Sequence, residues 1–153
     1  MSIDEIDLRI LQYLQGDASL TNAALAERVH LSASQCARRR QGLEQAGYIR
    51  AYRAELDGRK LGYRVEAFTR VTLTAHAKDA AQSFASLIER LDAVQDAYTI
   101  TGDADYLLHV RVRSLEDFAH FVHTELQPHP HVSQVRSDIV LTTLKDGQGF
   151  RPA

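Results

Sequence analysis

The stretch that decides the fold is Leu20–Ile49, which reads LTNAALAERVHLSASQCARRRQGLEQAGYI. Its apolar residues recur at helical spacing in two short runs, which predicts two helices. Thr21 can cap the first, and Ser32 opens the second with a serine-x-x-glutamine capping box. Gly47 is suited to a left-handed end of the second helix. Because only residues 30–32 separate the two helices, they must cross at a large angle, which is the helix-turn-helix arrangement.

The flanking residues extend this motif into a small domain. Apolar residues at helical spacing predict a preceding helix over residues 4–15. Residues 48–57 alternate as a strand does, which predicts the start of a wing or hinge directly after the third helix. We therefore expect a helix-turn-helix domain over residues 1–50, of the kind that commonly binds DNA, and a strand and hinge linker over residues 51–63.

The second half of the chain alternates between strand and helix patterns. Their order, β-α-β-β-α-β, predicts a ferredoxin-like domain, in which four antiparallel strands carry two helices on one face. The expected fold class is α+β, with an N-terminal (winged) helix-turn-helix domain, a C-terminal ferredoxin-like domain over residues 64–145 and a flexible tail over residues 146–153. The predicted strands are Val65–Thr74, Val94–Thr101, Tyr106–Val112 and Val132–Leu144, and the predicted helices are Ala77–Arg90 and Leu115–Leu126.

Composition and charge narrow the class of protein. A chain that is 44% hydrophobic and 25% charged is typical of a soluble globular protein. No apolar run reaches the roughly 18–20 residues that a membrane helix needs, and the acidic, periodic N-terminus does not read as a signal peptide. The single cysteine, Cys36, excludes an internal disulfide, so we expect a cytoplasmic protein. Net charge is −2, but residues 28–60 hold eight basic and three acidic side chains, which favours contact with a polyanion.

The third helix carries the candidate DNA contacts. In a helix-turn-helix the second helix of the pair lies in the major groove. Gln35 can read adenine and arginine can read guanine, and of three consecutive arginines Arg38 and Arg39 are best placed, with Arg40 half in the core. Arg50 and Arg53 are candidate phosphate contacts. The full set of expected DNA-binding residues is Thr21, Ser32, Ser34, Gln35, Arg38, Arg39, Arg40, Arg50 and Arg53.

The chain resembles the Lrp/AsnC (feast/famine) family of transcriptional regulators. Three stretches in order carry the resemblance: Leu20–Ile49, the hinge RAYRAELDGRKLGY and the loop and strand TGDADYLLHVRV. The resemblance implies a DNA-binding domain followed by a domain that forms dimers and higher assemblies, often octamers, and that binds a small effector, commonly an amino acid. Departures from the family pattern are His30 in place of glycine, Arg40 in an apolar position and Gly42 within the helix.

The turn Gly102-Asp103-Ala104-Asp105 is the candidate effector site. Carboxylates beside exposed amides can bind a zwitterion, although the spacing alone favours an ordinary hairpin, in which Gly-Asp turns are common. The resemblance implies that the effector pocket is built around this loop at a subunit interface. If Asp138 faces that pocket, it would favour a cationic or amide side chain. The expected effector-binding residues are Thr101, Gly102, Asp103, Asp105, Tyr106, Ser137, Asp138 and Ile139.

The remaining candidate groups predict no further site. The histidines lack the three or four supported ligands of a metal centre, so we expect no metal and no cofactor; they are His30, His76, His109, His120, His123, His129 and His131. Cys36 lies in an apolar stripe and reads as a buried thiol rather than a redox sensor.

Three functions remain open. The first is a regulator that binds double-stranded DNA as a homodimer or larger homo-oligomer and responds to an amino acid or related metabolite. The second is an enzyme similar to siroheme decarboxylases, which share the two-part architecture and depend on histidines near a tetrapyrrole pocket. His109, His120 and His123 of this chain prompt the comparison. The third is an architectural protein that binds DNA without an effector. The arginine-rich third helix, which such an enzyme does not need, argues against the second function. No nucleophile-base pair or Gly-rich phosphate loop supports any other reaction, and no catalytic residue is assigned.

Overall fold

The computed structural model describes residues 3–74, 78–145, 147, 149 and 150. The chain divides into two compact units, one comprising Met1–Glu55 with Lys145–Ala153 and the other Leu56–Leu144. His76, the expected start of the first C-terminal helix at Ala77, and residues 146, 148 and 151–153 of the expected tail lie outside the described residues. Within the described ranges, no helix is both long enough and apolar enough to cross a bilayer.

The first unit contains the three expected helices. They are α1 (Glu5–Gly16), α2 (Asn22–Val29) and α3 (Ala33–Gln45). Each helix begins at a side-chain cap, because its first N–H groups have no partner within the helix. The apolar faces meet in one buried cluster, which includes Ile10, Leu14, Leu25, Val29, Cys36 and Leu43.

Left-handed residues precede and follow α3, and the one at Gly47 was predicted. His30 ends α2 in the left-handed region, with φ 58° and ψ 45°. Gly47, with φ 77°, ends α3: its N–H donates to the Glu44 carbonyl, and the Tyr48 N–H donates to the Leu43 carbonyl. Those two bonds form a Schellman motif, which fixes the direction in which the chain leaves the helix.

Replacing His30 with glycine is expected to raise the free energy of unfolding by about 1 kcal/mol. A residue with a Cβ is strained in the left-handed region, whereas glycine is not, and this gain exceeds the extra chain entropy of glycine when unfolded. Gly47→Ala is the matched control with the opposite sign, since it introduces a Cβ at φ 77°. Urea unfolding of both variants measures the change, and a destabilised His30→Gly protein would contradict the explanation.

The prediction of a strand over residues 48–57 is wrong. These residues run without regular secondary structure, and no described segment forms a ladder with them. A strand needs a neighbour for its backbone N–H and C=O groups, so alternation by itself does not create one. The alternating residues are largely exposed, including Tyr48 and Leu56.

The second unit has the expected ferredoxin-like order. Its strands are β1 (Val65–Leu73), β2 (Val94–Thr99), β3 (Tyr106–Val112) and β4 (Val132–Ile139), and its first helix is α4 (Lys78–Ile88). The second helix begins as α5 (Leu115–His120) and continues as a π-helical segment (Phe121–Leu126). All three strand pairs are antiparallel, in the order β2-β3-β1-β4.

Three strands are shorter than expected. β1 ends at Leu73 instead of Thr74, β2 ends at Thr99 instead of Thr101, and β4 ends at Ile139 instead of Leu144. Ile139 pairs with Ala67 near the start of β1, and the Val140 N–H makes one further bond to the Glu66 carbonyl. The chain beyond Val140 therefore has little of β1 left to pair with.

The sheet has one covered and one open face. The buried cluster on the covered face joins alternate sheet residues to the helices: Ala67, Val71, Leu73, Leu108, Val110 and Val112 with Ala80, Phe84, Phe118, Phe121 and Leu126. The intervening residues face the other side and are more polar, among them Glu66, Arg70, His109 and Arg111. The burial of alternate residues is what fixes the register of each strand.

Candidate nucleic-acid interface and effector loop

The N-terminal end of α3 is exposed and tightly capped. Ser32 Oγ accepts the Gln35 N–H at 3.2 Å, and Gln35 Oε1 accepts the Ser32 N–H at 3.0 Å. Ser34 lies beside them, with its Oγ 3.1 Å from that of Ser32. Because the Gln35 oxygen belongs to the capping box, bidentate reading of adenine by Gln35 would require that box to open.

Arg38 is the exposed member of the three arginines. Its side chain forms no ion pair within the described part of the chain. It lies one turn beyond the exposed serines, on a helix whose other side packs through Cys36 and Leu43. An exposed guanidinium in this position can bind a phosphate or a guanine edge.

Arg39, which was expected to contact a base or a phosphate, is directed toward α1. Its Nη1 lies 2.8 Å from Asp4 Oδ2 and 2.8 Å from Asp7 Oδ1. The two carboxylates raise the pKa of the Arg39 guanidinium, chiefly through the hydrogen bond to Asp7. The guanidinium thus links the third helix to the first.

Arg40 is half-buried and bound to the chain that leaves α3. Its Nε donates to Tyr52 Oη at 2.7 Å, and its Nη1 donates to the Leu20 carbonyl at 3.0 Å. The guanidinium carbon also lies 4.5 Å from the centre of the Tyr52 ring, and Tyr52 Oη donates to Glu44 at 2.7 Å. These contacts agree with the expected position of Arg40, with its stem inside and its charged end at the surface.

The other expected DNA contacts lie at the edges of the first unit. Thr21 caps α2, with its Oγ1 accepting the Ala24 N–H at 3.2 Å. Arg50 and Arg53 follow α3 and are exposed. Basic side chains with exposed ends are suited to phosphate contacts, which position a protein on the duplex without reading its sequence.

The effector loop is held to the sheet by Asp105. The Asp105 N–H donates to the Val71 carbonyl at 3.0 Å, and its Oδ2 accepts the Leu73 N–H at 2.7 Å. This carboxylate oxygen therefore supports the loop instead of facing outward. Gly102 has φ 112°, a conformation that favours glycine, and it leaves Thr101 and Asp103 exposed.

Tyr106 connects the loop to the core of the second unit. Its ring centre lies 4.7 Å from that of Phe84, which is fully buried. Phe84 also contacts the His129 ring edge-on at 5.6 Å. Burial lowers the pKa of His129, as does the neighbouring charge of His131.

The residues expected from β4 lie on its two faces. Ser137 Oγ is 3.0 Å from Thr69 Oγ1, while Asp138 is exposed and forms an ion pair with Arg70. Asp138 pairs with Phe68 in the sheet order β2-β3-β1-β4, whereas the Gly102 turn joins β2 and β3. Because Asp138 is exposed, paired with Arg70 and two strands away from that turn, the expected preference for a cationic or amide side chain of the effector loses its motive. Ile139 is 43% exposed.

The open face of the sheet carries a charged cluster that the sequence analysis did not predict. His109 Nε2 lies 2.6 Å from Glu66 Oε1, and its Nδ1 lies 3.2 Å from Asp96 Oδ2. Arg111 adds a bond to Glu66 at 3.1 Å. Burial raises the pKa of Glu66, but the hydrogen bonds from His109 and Arg111 outweigh it and lower that pKa overall. Only the register, which sets Glu66 opposite Arg111 and Asp96 opposite His109, could have indicated the cluster.

The histidines do not come together as metal ligands within the described residues. No group of three histidine, cysteine, aspartate or glutamate side chains there could hold an ion. His120 and His123 instead approach Thr124 at 3.3 Å and Gln127 at 2.7 Å, respectively. The two ring nitrogens of His109 point in opposite directions, so Glu66 and Asp96 cannot join it around a single ion.

Cys36 is expected to resist modification in the folded protein. It is fully buried, and this burial raises the pKa of the thiol despite the nearby charge of Arg39. An aromatic disulfide reagent should therefore react on the order of 100-fold more slowly with native protein than with urea-unfolded protein. Equal rates would show that the α3 face opens readily or that the thiol is accessible.

Each half of the chain matches a known protein family. Residues 66–150 match the Lrp/AsnC ligand binding domain, and residues 3–50 match the winged helix-turn-helix DNA-binding family. The leucine-responsive regulatory protein of Rhizobium meliloti (strain 1021) is 38% identical over 95% of this chain and 94% of its own. The transcriptional regulator AzlB of Bacillus subtilis (strain 168) is 35% identical over 94% of this chain and 91% of its own.

Two solved structures are similar to this chain over most of its length. A transcriptional regulator of Neisseria meningitidis, solved as its complex with L-methionine, superimposes with a TM-score of 0.91 at 39% identity, covering 95% of this chain and 94% of that one. AsnC of Escherichia coli superimposes with a TM-score of 0.90 at 30% identity, covering 99% of this chain and all of that one.

Proposed function

The chain belongs to the Lrp/AsnC family, and from that premise we propose a sequence-specific DNA-binding transcriptional regulator whose assembly or DNA binding is modulated by an amino acid or related metabolite. The observation that carries the proposal is the capped, exposed start of α3 with Arg38 beside it. This is the part of a helix-turn-helix that faces base edges.

DNA contact is assigned to exposed side chains. Ser32, Ser34 and Gln35 meet the groove, Arg38 binds a base or phosphate, and Thr21, Arg50 and Arg53 hold the backbone of the duplex. The exposure of Arg38, Arg50 and Arg53 supports this assignment. Because each bound phosphate releases counterions, affinity should fall steeply with added salt.

The effector is assigned to the loop after β2. The exposed Asp103 carboxylate suits an α-ammonium group, and the backbone around Gly102 suits an α-carboxylate. The related Neisseria regulator was solved with L-methionine, which supports an amino acid as the ligand class. Thr101 and Tyr106 complete the proposed lining at the loop, and Asp105 supports it from behind. Ser137 and Ile139 lie on β4, so they would line the same pocket only across the expected subunit interface.

Homodimerisation, or assembly into a larger symmetric oligomer such as an octamer, follows from the same proposal. Two recognition helices related by a two-fold axis would read half-sites about one helical turn apart. Ligand control then needs only a difference in affinity between two assemblies or conformations. A regulator of this kind acts where the DNA is, so we place it in the cytoplasm.

The enzyme and architectural alternatives gain no support from the site. His109 prompted the comparison with siroheme decarboxylases, but its two ring nitrogens contact Glu66 and Asp96. The relatives named above are transcriptional regulators.

The test is competition between specific and unrelated DNA. The full chain is titrated against fragments from upstream of its own and neighbouring genes, with random duplex as competitor. A regulator should prefer its site by about 10³-fold or more. Equal binding to every fragment would favour an architectural protein, and no binding would reject both DNA-binding functions.

A further inference from the structure

The second of the three consecutive arginines has an unexpected environment. Asp4 and Asp7 form the capping box of α1: Asp4 Oδ1 accepts the Asp7 N–H at 2.9 Å, and Asp7 Oδ2 accepts the Asp4 N–H at 3.2 Å. The remaining oxygen of each carboxylate, Asp4 Oδ2 and Asp7 Oδ1, accepts Arg39 Nη1 at 2.8 Å. All four carboxylate oxygens are used, half for the helix cap and half for the recognition helix.

Loss of the contact between Arg39 and Asp7 is expected to destabilise the fold, because Asp7 is buried. It is 1% exposed and is one of only two buried polar residues among those described, the other being Thr69. A carboxylate removed from water needs a cation or several donors, and Arg39 is the cation it contacts. Asp4, by contrast, is half-exposed and carries the same bond at the rim of the contact.

The charge of this group argues against DNA contact by Arg39. One guanidinium faces two carboxylates, so the three side chains together carry a charge of −1. A phosphate approaching Arg39 would meet that net negative charge and would have to displace a buried carboxylate. The neighbouring Arg38 has no such partner in the described chain and is exposed.

We infer that Arg39 is a positioning residue, which holds the recognition helix against the first helix through Asp4 and Asp7, and does not supply a DNA contact. The inference rests on the proposed function, because it assigns a role within DNA recognition. The two neighbouring arginines then have different roles, since Arg38 binds DNA while Arg39 fixes the angle at which α3 presents it.

The test compares two neighbouring charge removals, Arg39→Gln and Arg38→Gln, in the full chain. Binding to a random duplex and to the preferred upstream fragment is measured at several potassium chloride concentrations, with a thermal melt of each variant. Arg38→Gln should lower the salt slope by about 1 and leave Tm close to wild type. Arg39→Gln should keep the wild-type slope, lower Tm by several degrees and reduce the preference for the upstream fragment.

A double variant keeps the test decisive if Arg39→Gln unfolds. Asp7→Asn combined with Arg39→Gln places neutral amides at both positions, so Tm should recover by several degrees relative to Arg39→Gln alone. No recovery would overturn the inference, as would a slope reduced by about 1 with an unchanged Tm. If wild type shows no preference for any fragment, the proposed function fails, yet the slopes on random duplex and the recovery of Tm still decide the role of Arg39.

Discussion

Replacing Phe84 with alanine is expected to lower the free energy of unfolding of the second unit by about 3–5 kcal/mol. Phe84 is fully buried on α4 and packs against Tyr106 at 4.7 Å and His129 at 5.6 Å. Truncation removes its contacts and leaves a cavity that two ring systems cannot easily fill. Because Tyr106 adjoins the proposed effector loop, the response to an amino acid should also weaken.

Urea unfolding measures the loss, with Leu115→Ala as the matched control. Leu115 is also an apolar residue on a helix of the second unit, but it is 61% exposed, so its truncation should cost less than about 0.5 kcal/mol. A Phe84→Ala protein that unfolds within about 1 kcal/mol of wild type would show that α4 does not form the core described here.

The Arg38→Ala protein is expected to bind its preferred DNA fragment about 5- to 150-fold more weakly than wild type. This range corresponds to about 1–3 kcal/mol for a well-placed arginine on a base edge. Since Arg38 is exposed and is not part of the first unit's buried cluster, Tm should stay within about 1–2 °C of wild type.

Arg90→Ala is the control for loss of charge. Arg90 is exposed just beyond α4, away from the recognition helix in sequence, and its removal changes net charge by the same amount. Fluorescence anisotropy with the labelled fragment should show near-wild-type affinity for this variant. Equal weakening by both substitutions would mean that Arg38 acts only through overall charge.

Local features of the fold could be predicted because their causes are local. Ser32 and Gln35 lie three residues apart, so the capping box of α3 can be read from the sequence, and the left-handed turn at Gly47 follows from one glycine. The β-α-β-β-α-β order followed from changes of period alone.

The roles of the arginines could not be predicted, because their partners are distant in sequence. Asp7 precedes Arg39 by 32 residues, and nothing in the spacing around α3 indicates the contact. The partner of Asp138 could not be read from the sequence for the same reason, since Arg70 lies 68 residues before it. Residues 48–57 alternate in sequence but have no neighbouring strand among the described residues, and a strand depends on both.

The central claim, an amino-acid-responsive regulator, is tested most directly by one binding experiment. The full chain is titrated against DNA upstream of its own and neighbouring genes, at several salt concentrations and with each of the twenty amino acids in turn. We expect one preferred fragment, binding that weakens steeply with salt, and a change in affinity or stoichiometry with at least one amino acid. Binding that shows no preference over random DNA under any of these conditions would contradict the claim.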